Sequence, residues 1–127
     1  MKWVINTCIV IVAIIHLLPL VGVLGVERLQ SLYGIRIDGP EIEILMRHRA
    51  VLFGLLGAGL VASLWQPEYQ GIAMLAGAVS VVSFLAIALS TREFNHELAR
   101  VVMTDWIALI AVIVGGVCWI VLRRGLN

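Results

Sequence analysis

Uncharged apolar residues run along this chain in four long stretches, each closed by a short cluster of charged, proline or glycine positions. No Asp, Glu, Lys or Arg interrupts Trp3 to Val26, Ala50 to Pro67, Tyr69 to Thr91, or Trp106 to Leu122. The first stretch is about 24 residues, or roughly 36 Å as α-helix, against a hydrocarbon core of about 30 Å. Extended to the nearest punctuation, the helices predict membrane spans at about 3–26, 43–65, 69–90 and 98–122. The expected architecture is all-α: one integral membrane four-helix bundle occupying 1–127 as a single domain. A cleaved leader is the other reading of the first stretch. Its apolar part is too long for a signal core, and no clean small-x-small site follows it, so an uncleaved span is expected.

The breaks between stretches read as helix ends. Asp38-Gly39-Pro40-Glu41 is a turn feeding a helix, with Pro40 at the first position, where its missing N–H is harmless. Glu41 and Glu43 then fall in the first turns, at the positive end of the helix dipole. Asn95 is expected to cap the fourth span, with Glu97 in its first turn. Trp65-Gln66-Pro67-Glu68 forms a tight hairpin between the second and third spans. Between the first and second spans, Val26, Leu29 and Tyr33 share one helical face. That stretch is either a short helix lying at the interface and ended by Gly34, or an irregular loop. Trp3, Trp65, Tyr69 and Trp119 gather at one end of the bundle, as an aromatic belt would.

Small residues recur at helical spacing. Ala50, Gly54, Ala58 and Ala62 form a four-residue series with Gly57 beside it; Ala73 and Gly77, then Ala111 and Gly115, repeat the step. In lipid, helices associate through close backbone approach, and small residues permit it. The same series could dock a second copy or another membrane protein.

Composition agrees with lipid and narrows the partners. The 127 residues are 61% hydrophobic and 13% charged, against roughly 45–50% and about 25% in soluble domains. A net charge of +1 offers no basic face, so nucleic acid is not expected as a partner. Cys8 and Cys118, one near each end, make neither a disulfide framework nor a zinc pattern and are expected as buried thiols. No Gly-rich phosphate loop, HExxH, CxxC, serine elbow or nucleotide-binding α/β pattern occurs, and no catalytic residue is assigned. No cofactor or metal site is expected; His48 and His96 are the one pair of histidines at similar depth, and haem is a poor reading of them.

The unusual feature is the run "RHR", Arg47-His48-Arg49, at the entrance of the second span. The second and fourth spans run in the same direction. Counted from their expected starts, Arg49 and Asp105 each lie about nine residues in, roughly 13 Å along the axis. An isolated charge at such depth costs about 2.5–3.5 kcal/mol on the insertion scale. An ion pair between Asp105 and Arg47 or Arg49 is therefore predicted, with the other arginine turned to headgroups. His48, Arg92, Asn95, His96 and Arg100 gather at the same face. They make either an interface collar of snorkelling side chains or, through Arg47, His48, Arg49, His96 and Asp105, a polar pocket for an anionic headgroup, a quinone or another amphiphile. His16 stands apart, mid-span. It is either a neutral imidazole bonded to a neighbouring helix or to the Ile15 carbonyl that Pro19 frees, or else a proton relay or ligand contact.

Orientation is left open. Arg28, Arg36, Arg47, Arg49, Arg92 and Arg100 lie on one side, against Lys2, Arg123 and Arg124 on the other. That bias favours the first side as cytoplasmic, but the count nearly balances if two arginines are drawn into the helices.

The order of a first span followed by "LYG", a loop proline and "RHRAVLFGLLG" resembles the DoxX-like group of small four-helix membrane proteins of bacteria. The likeness covers the span layout, with specific residues confined to Tyr33 to Gly59. It implies a four-helix fold, residence in a bacterial inner membrane and roles as accessory or redox-linked membrane components; it carries over no catalytic residue. The leading expectation is an accessory protein that binds membrane lipid and a membrane-protein partner or a second copy. The alternative is a lipid- or quinone-binding protein or oxidoreductase component. Proton-coupled transport through His16 and Asp105 ranks below both.

Overall fold

Pro19 decides where the first helix changes. Lacking an N–H, it leaves the Ile15 carbonyl without its donor four residues on. In the computed structural model, which describes residues 1–125, helix α1 accordingly spans Lys2–Leu17 and the chain continues as a tighter 3₁₀ helix over Leu18–Leu24. Gly25, at φ 148°, breaks the direction, and α2 (Val26–Tyr33) follows as a short helix. Its end is a left-handed cap: Gly34 sits at φ 61° and its N–H reaches the Gln30 carbonyl at 2.8 Å. Leu29 and Tyr33 bury their shared face against Ile37, with Leu98 and Val101 packed beside them. Of helix and irregular loop, the chain adopts the helix, because that apolar stripe has a partner to cover.

Helix α3 (Pro40–Ser63) starts at Pro40 and carries Glu41 and Glu43 in its first turn. The Pro67–Tyr69 turn leads into α4 (Gln70–Thr91), and α5 runs from His96 to Arg124. Asn95 caps α5 by accepting from the Leu98 N–H at 2.8 Å, and its amide donates to the Tyr33 and Gly34 carbonyls at 2.8 and 3.0 Å. One side chain thus holds the start of α5 to the end of α2. Lys2–Leu24, Pro40–Ser63, Pro67–Thr91 and His96–Arg124 are long and apolar enough to cross a membrane, and no strand occurs among the described residues. The fold is an all-α four-helix membrane bundle.

Within it α1 is the central element, packed chiefly on α5 and α3, while α4 packs on α5 and α3. Ile5, Ile9 and Val12 of α1 meet Leu60, Met74 and Ala111 in the main core. A second cluster, Val81, Leu85, Ala88, Val102 and Ala108, joins α4 to α5. Large apolar side chains such as Leu55, Ile72 and Ile110 point outward, the pattern of a bundle whose solvent is lipid.

The small-residue seam on α3 departs from the expected series. Ala50 and Gly54 are buried, but Ala58 and Ala62 are exposed, and the packed line continues through Gly57, Leu60 and Ser63. A four-residue step overshoots the 3.6-residue turn, so the series rotates off the interface while Gly57 stays on it. There α1 comes close: a Cβ on Gly57 would lie 2.7 Å from Leu17 Cγ and 3.3 Å from the Ala13 carbonyl oxygen. On α5, Gly115 gives the same clearance to Met74 and Cys8. Cys8 and Cys118 are both free thiols; Cys8 is buried and Cys118 half-buried.

Candidate functional site

The fold brings His16 of the first span and Arg49 of the second to a common space. A cavity of about 260 Å³ opens between the upper halves of the helices. Helix α1 and its 3₁₀ extension contribute Ile15, His16, Leu18 and Pro19; α2 contributes Ser31, Leu32 and Tyr33. Arg49 and Phe53 line it from α3, Phe84 from α4, and Glu97, Arg100, Val101, Thr104 and Asp105 from α5. The α5 residues recur at three- and four-residue steps, which puts them on one helical face.

Arg49 is held by geometry and charge together. Its guanidinium carbon lies 4.6 Å from the Phe53 ring centroid and 5.2 Å from that of Tyr33, the range in which an aromatic quadrupole attracts a cation. Its Nη1 donates to the Tyr33 hydroxyl at 2.7 Å. Arg49 and Phe53 are four residues apart on one helix, so they share a face, and Tyr33 reaches them because α2 folds back over the bundle. The side chain is therefore fixed across the cavity wall instead of snorkelling out.

The predicted ion pair with Asp105 does not form. Among the described residues the ion pairs are Arg36–Asp38 at 3.5 Å and Arg47–Glu43 at 3.1 Å. No nitrogen of Arg49 comes within 4.0 Å of the Asp105 carboxylate. The physical reason is the arrangement of helices: α3 and α5 make no direct contact, and α1 packs between them. Matched depth places the two charges on facing walls of one cavity without bringing them together. Arg47 turns the other way, donating Nε to the Val23 carbonyl at 3.0 Å and Nη1 to Glu43 one turn earlier.

His48 and His96 are exposed and do not line the cavity. Of the five residues expected to form a pocket, Arg49 and Asp105 are brought together, and Arg47, His48 and His96 are not. Successive helix residues point 100° apart, so a run of three cannot face one site. His16 moves the opposite way: expected to stand apart, it lines the cavity from below and is only 2% exposed. Its Nδ1 is 2.8 Å from the Val12 carbonyl and its Nε2 is 3.1 Å from the Ser80 hydroxyl. The carbonyl can only accept, so Nδ1 carries the hydrogen, and in the neutral ring Nε2 accepts from Ser80. The bond is to Val12 and not to the freed Ile15 carbonyl, because Nδ1 reaches back one turn along its own helix. Phe53 lies against the ring, 5.6 Å between centroids.

Tyr33, Phe53, Phe84, Ser80 and Thr104 complete the surroundings of the site and were not in the expected set. The four-residue spacing of Arg49 and Phe53 was a usable signal. Ser80 and Thr104 carry none, since single hydroxyls in an apolar helix commonly bond to their own backbone, as Thr104 does to the Arg100 carbonyl at 2.9 Å.

Among the described residues no group of His, Cys, Asp or Glu is placed to hold a metal ion. Compared with known proteins, the chain matches no family model, and no match was found among curated proteins or solved structures.

Proposed function

We propose that this is a multi-pass membrane protein that binds a small amphiphile, a lipid or a quinone-like molecule, in the cavity between α1, α2, α3 and α5. The single observation that carries the reading is the lining itself. Charged and hydroxyl groups from α2, α3 and α5 meet the apolar side chains of Ile15, Leu18, Phe53 and Phe84 in one space. Concave, mostly apolar sites with a few convergent polar groups are where small molecules bind. A purely structural polar cluster would pair its charges internally, yet Arg49 and Asp105 face each other unpaired. Kinship with the DoxX-like proteins and residence in a bacterial inner membrane belong to the same proposal, supported by the stretch from Tyr33 to Gly59.

Native mass spectrometry of gently solubilised protein tests it. Wild type is expected to carry a bound amphiphile of defined mass, and Thr104→Trp, which fills the cavity, to lose it. The same adduct on both proteins, or none on wild type, would remove the proposal. A second reading, an accessory role through helix–helix docking, draws on the exposed Gly59 and Ala62 of α3 beside Ile72 and Ala76 of α4. The same spectra would show it as a defined oligomer or a stoichiometric protein partner.

A further inference from the structure

The head group that this cavity accepts can be narrowed from the charges and hydrogen-bonding capacity of its walls. We infer that the ligand is an uncharged amphiphile whose head both donates and accepts hydrogen bonds, as a phenol or an alcohol does, with Asp105 accepting from it and Arg49 and Tyr33 donating to it. The inference rests on the cavity reading proposed above.

The walls carry Arg49 and Arg100 against Glu97 and Asp105, so the charges cancel. An anionic head would meet two carboxylates and a cationic head two guanidiniums. Either charge would be attracted by one pair and repelled by the other, so little net Coulomb energy offsets its desolvation. A neutral head avoids both penalties.

Donor and acceptor counts then fix its polarity. Arg49 has five N–H donors; one hydrogen bond to the Tyr33 hydroxyl is formed among the described residues. Because that hydroxyl accepts from Arg49, its own O–H is left to donate. Asp105 is an acceptor, and no hydrogen bond or ion pair among the described residues reaches it. His16 cannot serve, since both its nitrogens are met by Val12 and Ser80. One wall therefore lacks a donor and the facing wall lacks an acceptor. A single hydroxyl supplies both, while its apolar body lies against Phe53 and Phe84. A carbonyl or an ether would satisfy the Arg49 side alone, which favours a hydroxyl-bearing lipid or a reduced quinol over the quinone itself.

The test uses the full chain in lipid nanodiscs, with three probes: 1-naphthol, its methyl ether 1-methoxynaphthalene, and 1-naphthyl phosphate. Affinities are measured by equilibrium dialysis against empty nanodiscs. Naphthol is expected to bind about ten- to a hundredfold more tightly than the ether, the range for a hydrogen bond to a charged group. Asp105→Leu should bring naphthol down to the level of the ether; a gap due only to the size of the methyl group would persist. Equal affinities in wild type, or tighter binding of the phosphate, would overturn the inference, and this comparison stands whether or not the variant folds. Equal binding that Thr104→Trp abolishes would leave the cavity reading intact and remove only the head assignment. Binding of none of the three would remove both.

Discussion

Arg49 illustrates how a charge is made tolerable inside a lipid-facing bundle. It lies between two aromatic faces and spends one donor on the Tyr33 hydroxyl, so burial against π-density replaces the missing ion pair. Lysine cannot reproduce this arrangement: its ammonium is a compact, strongly hydrated point charge without the flat face that stacks. Arg49→Lys should lower stability by about 1–2 kcal/mol through the lost stacking and geometry. Arg36→Lys should change it by less than about 0.5 kcal/mol, because the Arg36–Asp38 pair is 88% and 73% exposed. Equilibrium unfolding in mixed micelles measures both, and equal effects would contradict the role given to the rings. His16 is accommodated by a different means, as a neutral ring with its two nitrogens satisfied on its own helix and on α4.

At the scale of the helices, contact depends on which side chains are missing. The α1–α3 crossing is set by Gly57, whose added Cβ would meet Leu17 and the Ala13 carbonyl, whereas nothing lies within 4 Å of the same position on Gly59. A backbone atom cannot rotate away as a side chain can, so overpacking at Gly57 must separate the helices. Gly57→Ala is expected to cost about 1–3 kcal/mol. Gly59→Ala, facing outward, should be neutral or slightly stabilising, because alanine is the better helix former. Thermal unfolding of the two variants side by side checks this, and a loss at Gly59 equal to that at Gly57 would place the interface elsewhere. Asn95 works on the same scale: the cap of α5 and the two carbonyls at the end of α2 share one amide, which fixes the roof of the cavity.

For the molecule as a whole, four crossings dictate which ends meet. Helices α1 and α4 run one way and α3 and α5 the other, so Lys2 and Arg124 share a face and the Arg36 loop occupies the opposite one. The Lys2 face also carries Trp3 and Trp65, 86% and 76% exposed, and Arg123 stacked 5.3 Å over the Trp119 ring, as residues at a headgroup boundary do. In a chain with Cys8 and Cys118 replaced by Ala, single cysteines at Lys2→Cys and Arg124→Cys should react with an impermeant maleimide from the same side of sealed vesicles. Arg36→Cys should react only from the other. Labelling of all three from one side would break the four-crossing arrangement. The arginines that settle orientation are fewer than the bare count, because Arg49 is drawn into the cavity wall.

Hydrophobic pattern and punctuation alone were enough for the crossings, for Pro40 and Asn95 as helix starts and for Gly34 as a stop, because each depends on neighbours along the chain: a run long enough for the bilayer, a missing N–H, a cap within one turn. Counting residues along rigid helices was also enough to expect Arg49 and Asp105 near one another, and both line the one cavity. Rotation and lateral order were not legible. Which way Arg47, His48 and Arg49 point, and whether α3 touches α5 or stands off with α1 between them, depend on how side chains of distant segments interlock. Only the packed bundle decided that Arg49 turns to Tyr33 and Phe53, that Asp105 stays apart from it, and that His16 forms the floor beneath them both.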